Sequence, residues 1–124
     1  MKDHWRAELI FRTGIGPEGF AYISSDGAYA GPSSADQFFY LQHGFYITSS
    51  YYILRPEVLE SNFYAWRVTG DEKYLARAQA AIESFKKHLR VDGGGYAGLY
   101  DVMDSSRKVD DTESFWYAEL LKYL

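Results

Sequence analysis

The ten residues Tyr-Ile-Leu-Arg-Pro-Glu-Val-Leu-Glu-Ser at positions 52–61 decide how the rest of the chain is interpreted. An extended apolar segment leads to Arg55, and Pro56 favours the first position of a helix, so we predict that a helix starts there. Glu57 and Glu60 are three residues apart and fall on one face of its first turn. The helix dipole and Arg55 can keep both carboxylates ionised despite their repulsion. Two oriented anions suit glycoside hydrolysis, although ordinary solvated helix starts also carry paired acids.

The length and composition are those of one ordinary globular domain. The chain has 124 residues, of which 47% are hydrophobic and 24% charged, and its net charge of −4 disfavours nucleic acid as a partner. Aromatic residues make up 19%, a level that suits a packed core and equally a wet sugar-binding cleft. Cysteine is absent, which excludes disulfides and thiolate zinc sites. No apolar run is long enough to span a bilayer, and no signal-peptide core is present at the start.

Three helices are expected in the second half of the chain. The helix at 56–69 is apolar on most sides and is predicted to be mostly buried. Gly70 favours its end, and Asp71 can cap the next helix at about 71–90, which has a single apolar stripe and one wet face. A third, largely apolar helix is predicted at about 111–124. The pattern is therefore predominantly α-helical.

The segments before these helices are expected to be loops and a short hairpin. Residues 14–19 contain too much glycine and proline for an element interior and predict a fixed loop that presents Glu18. Residues 24–37 have the composition of a polar surface excursion. Residues 45–48 and 51–54 flank two serines, a pattern that predicts a β-hairpin.

An internal repeat suggests how the helices are arranged. Residues 60–66 resemble residues 113–119, one helix pair later. An order of buried, exposed and buried helices predicts a double ring, an α/α barrel, in which successive inner helices begin at the same rim. Glu57, Glu60 and Glu113 would then converge there, and Glu18 could join them from its loop.

Four segments in this order and spacing resemble class I α-1,2-mannosidases, glycoside hydrolase family 47, and look closest to the fungal branch. The first two are Gly-Ile-Gly-Pro-Glu at 14–18 and the stretch at 52–61. The others are Val-Thr-Gly-Asp at 68–71 and the Glu-Ser-Phe, Ala-Glu and Leu-Lys-Tyr groups within 113–123. The resemblance covers about Arg12 to the C-terminus and is more specific than any single motif.

The resemblance implies part of an (α/α)7 barrel and inverting hydrolysis of terminal α-1,2-linked mannose on high-mannose N-glycans, with calcium as cofactor. It implies that Glu57 is the general base and that Arg55 contacts substrate. It further implies that Glu18, Glu60 and Glu113 hold substrate hydroxyls, the last two with a possible link to calcium through water. It also implies the secretory pathway, in the endoplasmic reticulum or Golgi, or secretion.

Parts of the family pattern are missing from this sequence. The family's general acid and another essential acidic residue are expected upstream of Met1, and the threonine that ligates calcium directly is expected beyond Leu124. Residues 1–124 are therefore predicted to be a single partial domain that carries the base side of the site and no direct metal ligand. Because the two-carboxylate mechanism needs both partners, the isolated chain is expected to be inactive.

Two other functions remain open at this point. The chain could be a non-catalytic module that binds mannose or an N-glycan, or an incompletely folded remnant with apolar edges exposed.

Overall fold

A computed structural model describes residues 13–22 and 34–124 of the chain. This part is mainly helical, with two small antiparallel sheets of two strands each. In chain order its elements are β1 (Gly19–Ala21), α1 (Ser34–His43), β2 (Tyr46–Ser49), α2 (Glu57–Thr69), α3 (Lys73–His88), β3 (Leu99–Asp101), β4 (Asp104–Lys108), α4 (Ser114–Ala118) and a 3₁₀ turn (Leu120–Lys122). The predominance of helix agrees with the sequence pattern.

Helices α2 and α3 form the hairpin that the sequence predicted. Helix α2 follows Pro56 and ends at Gly70, whose positive φ of 69° is a conformation that glycine adopts without strain. The carboxylate of Asp71 accepts a hydrogen bond from the backbone N–H of Lys73 at 3.0 Å, so it caps the start of α3 as expected. The side chain of Asn62 donates to the carbonyl of Tyr74 at 2.6 Å and joins the two helices.

The predicted hairpin between residues 45–48 and 51–54 is wrong. Strand β2 pairs instead with β1, in the register Phe20↔Ile47 and Ala21↔Tyr46. The following segment turns to the other sheet, where Tyr52 forms an isolated bridge with Leu99. Short runs of aromatic and β-branched residues indicate extended backbone but carry no information about the partner strand, which explains the error.

A tight hairpin joins β3 to β4. The side chain of Asp101 accepts a hydrogen bond from the backbone N–H of Met103 at 2.8 Å and stabilises the turn. Gly98, just before β3, lies so close to the carbonyl oxygen of Tyr52 that a β-carbon would overlap it. The hairpin is thereby held against the segment that leads to α2.

The third predicted helix, at about 111–124, is shorter than expected. Thr112 donates its hydroxyl hydrogen to the carbonyl of Tyr96 at 2.6 Å, and Glu113 is extended, so α4 begins only at Ser114. The backbone of Glu119 is not helical and separates α4 from the 3₁₀ turn. Tertiary hydrogen bonding therefore overrides the helical pattern before Ser114.

The predicted polar excursion at 24–37 is also wrong where the structure describes it. Within this range, residues 24–33 lie outside the described part, but Ser34 already begins α1. Small polar residues such as serine favour helix starts as well as loops, so a polar composition does not distinguish the two.

The core lies where the segment before α2, both long helices, the β3–β4 hairpin and the C-terminal turns meet. Its buried members are Ile15, Tyr52, Leu54, Leu59, Phe85, Leu89, Leu99, Val102, Trp116 and Leu120. Phe85 stacks on Tyr52 and meets Trp116 edge-on, so α3 is joined to both neighbours through aromatic contacts.

Helix α2 is much more exposed than its apolar composition predicted. Only Leu59 and Asn62 are buried, whereas Val68 is 85% exposed. The prediction of a mostly buried helix is wrong for the described chain, because α3 and the 3₁₀ turn cover one side of α2 and leave the other open. No helix within residues 13–22 and 34–124 has both the length and the apolar character needed to cross a bilayer.

Leu54 has an unusual backbone conformation that a substitution can test. It is fully buried, yet its φ is +68°, a region that costs residues with a β-carbon about 1–2 kcal/mol. We therefore expect Leu54→Gly to be at least as stable as Leu54→Ala, as measured by urea unfolding. The matched control is Leu89, also fully buried but with φ of −104°, where glycine should be less stable than alanine by about 0.5–1 kcal/mol. The same order at both positions would contradict the assigned conformation.

Candidate active site

The segment before α2 turns sharply and is held in place by backbone and side-chain hydrogen bonds. After Tyr52 pairs with Leu99 through two backbone hydrogen bonds of 3.0 and 2.8 Å, the positive φ of Leu54 redirects the chain. The hydroxyl of Tyr52 then donates to the carbonyl of Arg55 at 3.3 Å. Burial, together with the negative charges of Glu18 and Glu57, raises the pKa of Tyr52, so this phenol stays protonated and remains a donor.

Glu18 lies at the end of the loop that the sequence predicted to present it, immediately before β1. Its backbone N–H donates to the carbonyl of Tyr51 at 2.7 Å. One carboxylate oxygen accepts the backbone N–H of Ile53 at 2.9 Å, and the other accepts Nε–H of Arg55 at 2.5 Å. Only 14% of this side chain is exposed. Glu18 thus fastens the loop to the segment that precedes α2.

Arg55 lies between two carboxylates. While its Nε contacts Glu18, its Nη1 is 3.5 Å from Oε1 of Glu57. The hydrogen bond and the negative charge of Glu18 are the main causes that raise the pKa of Arg55, with a smaller contribution from Glu57. The Glu57 side chain is 60% exposed and that of Arg55 48%, so both can reach solvent. The structure thus brings Glu18, Arg55 and Glu57 together.

Glu60 is one turn further along α2 and has a partner that the sequence analysis did not identify. The hydroxyl of Tyr123 donates to its Oε1 at 3.0 Å. This hydrogen bond, followed by burial and the charge of Glu60, raises the pKa of Tyr123 to about 12. The ring of Tyr123 also contacts those of Phe63 and Tyr64. The C-terminal turn thereby supports the first turn of α2.

Glu113 occupies a different position from the one that the repeat predicted. Glu60 is inside a helix, whereas Glu113 is extended and immediately precedes α4, without capping it through its side chain. Within the described residues, no hydrogen bond or ion pair joins Glu113 to Glu18, Arg55, Glu57 or Glu60. The two similar sequence segments are therefore not structurally equivalent.

The side chains of the described residues do not provide the ligands of a calcium site. Calcium takes six to eight oxygen ligands, several of them carboxylates. In the part of the chain that the structure describes, no three His, Cys, Asp or Glu side chains lie close enough to hold a metal ion. These residues alone do not form a direct calcium site, and no proton transfer described below is assigned to the ion.

Sequence reasoning missed the residues that support the site from the core. The sequence predicts Tyr52 and Leu54 in a hairpin strand, whereas in the structure they form the turn that leads to Arg55. Tyr123 belongs to one of the segments that carry the family resemblance, but its contact with Glu60 spans 63 positions and has no local sequence signal.

Comparison with known proteins identifies the family. All of residues 1–124 match the model of glycosyl hydrolase family 47. The chain therefore belongs to glycosyl hydrolase family 47.

Several of its relatives are fungal proteins named as α-1,2-mannosidases. It is 45% identical over 113 residues to a "Probable mannosyl-oligosaccharide alpha-1,2-mannosidase 1B" of Aspergillus niger, covering 90% of this chain and 21% of the relative. A "Mannosyl-oligosaccharide alpha-1,2-mannosidase" of Coccidioides posadasii is also 45% identical, with the same coverage. The solved structure of an "alpha-1,2-mannosidase from Trichoderma reesei" superposes with a TM-score of 0.86 at 43% identity, covering 97% of this chain and 25% of that one. The chain thus spans about a fifth of the length of these curated relatives.

The hydrogen bond between Tyr123 and Glu60 can be tested by alkaline titration. We expect the tyrosinate absorbance of the folded chain to contain a step near pH 12 that Tyr123→Phe lacks. Glu60→Gln should move this step to lower pH, because the negative acceptor is removed. Glu83→Gln, at an exposed glutamate of α3, is the control and should leave the step unchanged.

The sign of the accompanying stability change follows from the raised pKa. An unfolded tyrosine has a pKa of about 10, so between pH 10 and 12 the folded chain retains a proton that the unfolded chain loses. The free energy of unfolding should therefore fall across this window, and less so in Tyr123→Phe. A step that stays near pH 12 in Glu60→Gln would contradict the assigned hydrogen bond.

Proposed function

We propose that this chain forms part of a mannosyl-oligosaccharide 1,2-α-mannosidase that hydrolyses terminal α-1,2-linked mannose of high-mannose N-glycans with inversion. In this proposal Glu57 is the general base. The observation that carries it is the placement of Glu57 at the start of α2, exposed and paired with Arg55. Membership of family 47 over the whole chain and the α-1,2-mannosidases among its relatives support the choice of substrate.

Glu57 meets the requirements of a general base better than its neighbours do. An inverting base must be ionised and must reach a water molecule on the face of the sugar opposite the leaving group. Glu57 pairs with the Arg55 guanidinium at the start of α2, and its exposure leaves room for water. Glu18 is nearly buried with both oxygens engaged, and Glu60 accepts from Tyr123, so neither is as free to accept a proton.

The proposed reaction assigns each proton. Glu57 takes a proton from water as the water oxygen attacks the anomeric carbon, while the bond to the leaving oxygen breaks. A separate carboxylic acid, about 6.5–9.5 Å away, protonates that leaving oxygen. We assign no described residue to this second role. The isolated chain is accordingly proposed to be inactive, and the complete site to require the rest of a family 47 domain.

Several wider features of the proposal rest on the family resemblance. They are an (α/α)7 barrel that contains α2 and α4 among its inner helices, dependence on calcium, and residence in the secretory pathway or secretion. Arg55, Glu60 and Glu113 are proposed to contact the sugar hydroxyls, directly or through water. The solvent-exposed face of α2 is compatible with packing against further helices of such a barrel.

A chimeric enzyme tests the proposed base. Residues 13–124 would replace the matching segment of the Aspergillus niger relative, and release of mannose from α-1,2-mannobiose would be measured. We expect an active chimera in which Glu57→Gln lowers kcat by about 10²–10⁴-fold, the usual effect of removing a general base. Glu83→Gln, on the exposed side of α3, is the matched control and should retain activity.

Two outcomes would contradict this proposal. Full activity of the Glu57→Gln chimera would exclude Glu57 as the base. Binding of α-1,2-mannobiose by the isolated chain in calorimetry, together with a chimera that binds but does not hydrolyse, would favour a non-catalytic mannose-binding module instead.

A further inference from the structure

We propose that Glu18 is a positioning residue, which holds Arg55 in the orientation that faces Glu57, and that it does not contact the sugar. This inference rests on the proposed role of Glu57 and departs from the expectation that Glu18 binds substrate. It assigns a mechanical role to the loop before β1, far from α2 in sequence.

Both oxygens of the Glu18 carboxylate already accept a hydrogen bond from the protein. One oxygen accepts the backbone N–H of Ile53 and the other accepts Nε–H of Arg55. The hydrogen bond from Ile53 is partly buried and the one from Arg55 is charge-assisted, so a substrate hydroxyl could use only the remaining lone pairs of this carboxylate. At 14% exposure the side chain also offers little surface to a ligand, in contrast to Arg55 and Glu57.

The planar guanidinium group of Arg55 is oriented by its hydrogen bond to Glu18. Its five N–H donors lie in one plane, so a hydrogen bond at Nε fixes the direction of both Nη atoms. With Nε held by Glu18, Nη1 lies 3.5 Å from Glu57. A free arginine would sample many rotamers at this exposed position, whereas the anchored one presents its charge to the same carboxylate throughout.

The Glu18 carboxylate also fixes the backbone close to Arg55, through its hydrogen bond with Ile53. The hydrogen bond to Ile53 and the bond of the Tyr52 hydroxyl to the carbonyl of Arg55 flank Leu54 with its positive φ. The backbone carbonyl and the side chain of Arg55 are therefore both held by hydrogen bonds. Glu18 therefore acts on Glu57 only through Arg55, which makes a specific prediction for paired substitutions.

A double-mutant cycle in the chimera tests this coupling. Glu18→Gln retains an amide oxygen for Ile53 N–H but loses the acceptor for Arg55, and should lower kcat/KM by about 10–100-fold with most of the loss in kcat, as expected for a misplaced group. In the Arg55→Ala background the same change should cost less than about twofold, because its target is gone. Glu83→Gln, the exposed control on α3, should cost nothing in either background.

The outcomes separate this inference from the proposed function. Equal losses from Glu18→Gln with and without Arg55, or a loss confined to KM, would indicate a direct sugar contact and overturn the inference. If the chimera has no activity, the same cycle is measured on urea midpoints of the 124-residue chain. There the shift caused by Glu18→Gln should shrink when Arg55 is replaced, and additive shifts would overturn the inference even with the proposed function undecided.

Discussion

Two carboxylates share one guanidinium group at the start of α2, and the rest of the described structure keeps them there. Arg55 contacts Glu18 through Nε and Glu57 through Nη1. Without the arginine, two negative charges would lie beside each other, close to a third on Glu60. The arginine offsets this repulsion, and the helix N-terminus adds to the effect. Because Glu18 is much less exposed than Glu57, the arrangement has a fixed side and a side open to solvent.

The fold maintains this arrangement by holding the segment before α2 on several sides. Tyr52 pairs with Leu99 of the second sheet and stacks on Phe85 of α3. Leu54 fills the core in a backbone conformation that is costly for leucine, and its complete burial offsets that cost. Strain next to exposed charged groups is common at functional sites. Here it has a visible consequence, since the turn at Leu54 directs the chain from the sheet into the helix.

The features that could be predicted from the sequence are those with local signals. Pro56, Gly70 and Asp71 mark helix ends through their own backbone or side-chain chemistry, and the structure has the two long helices close to the predicted bounds. The ionic pairing of Arg55 with a nearby glutamate follows from their proximity in the chain. The glycine-rich loop that presents Glu18 was recognisable for the same reason.

The features that could not be predicted depend on partners far away in the chain. The apolar runs at 45–48 and 51–54 identified extended backbone but not its pairing with β1 and β3. Thr112 leaves the helical pattern because it bonds to Tyr96, and Tyr123 reaches Glu60 across the core. The internal repeat was also a poor guide to structure, because the aligned residues Glu60 and Glu113 do not occupy equivalent positions relative to their helices.

The most direct test of the account is hydrogen exchange at the Arg55 side chain, followed by ¹⁵N NMR of the Nε–H group. We expect this proton to exchange at least about tenfold more slowly than Nε–H of the exposed Arg90, because it is hydrogen-bonded to a carboxylate. The protection should disappear in Glu18→Gln and persist in Glu57→Gln. Exchange of Arg55 at the rate of Arg90, or protection that survives Glu18→Gln, would contradict the claim that Glu18 holds the arginine in place.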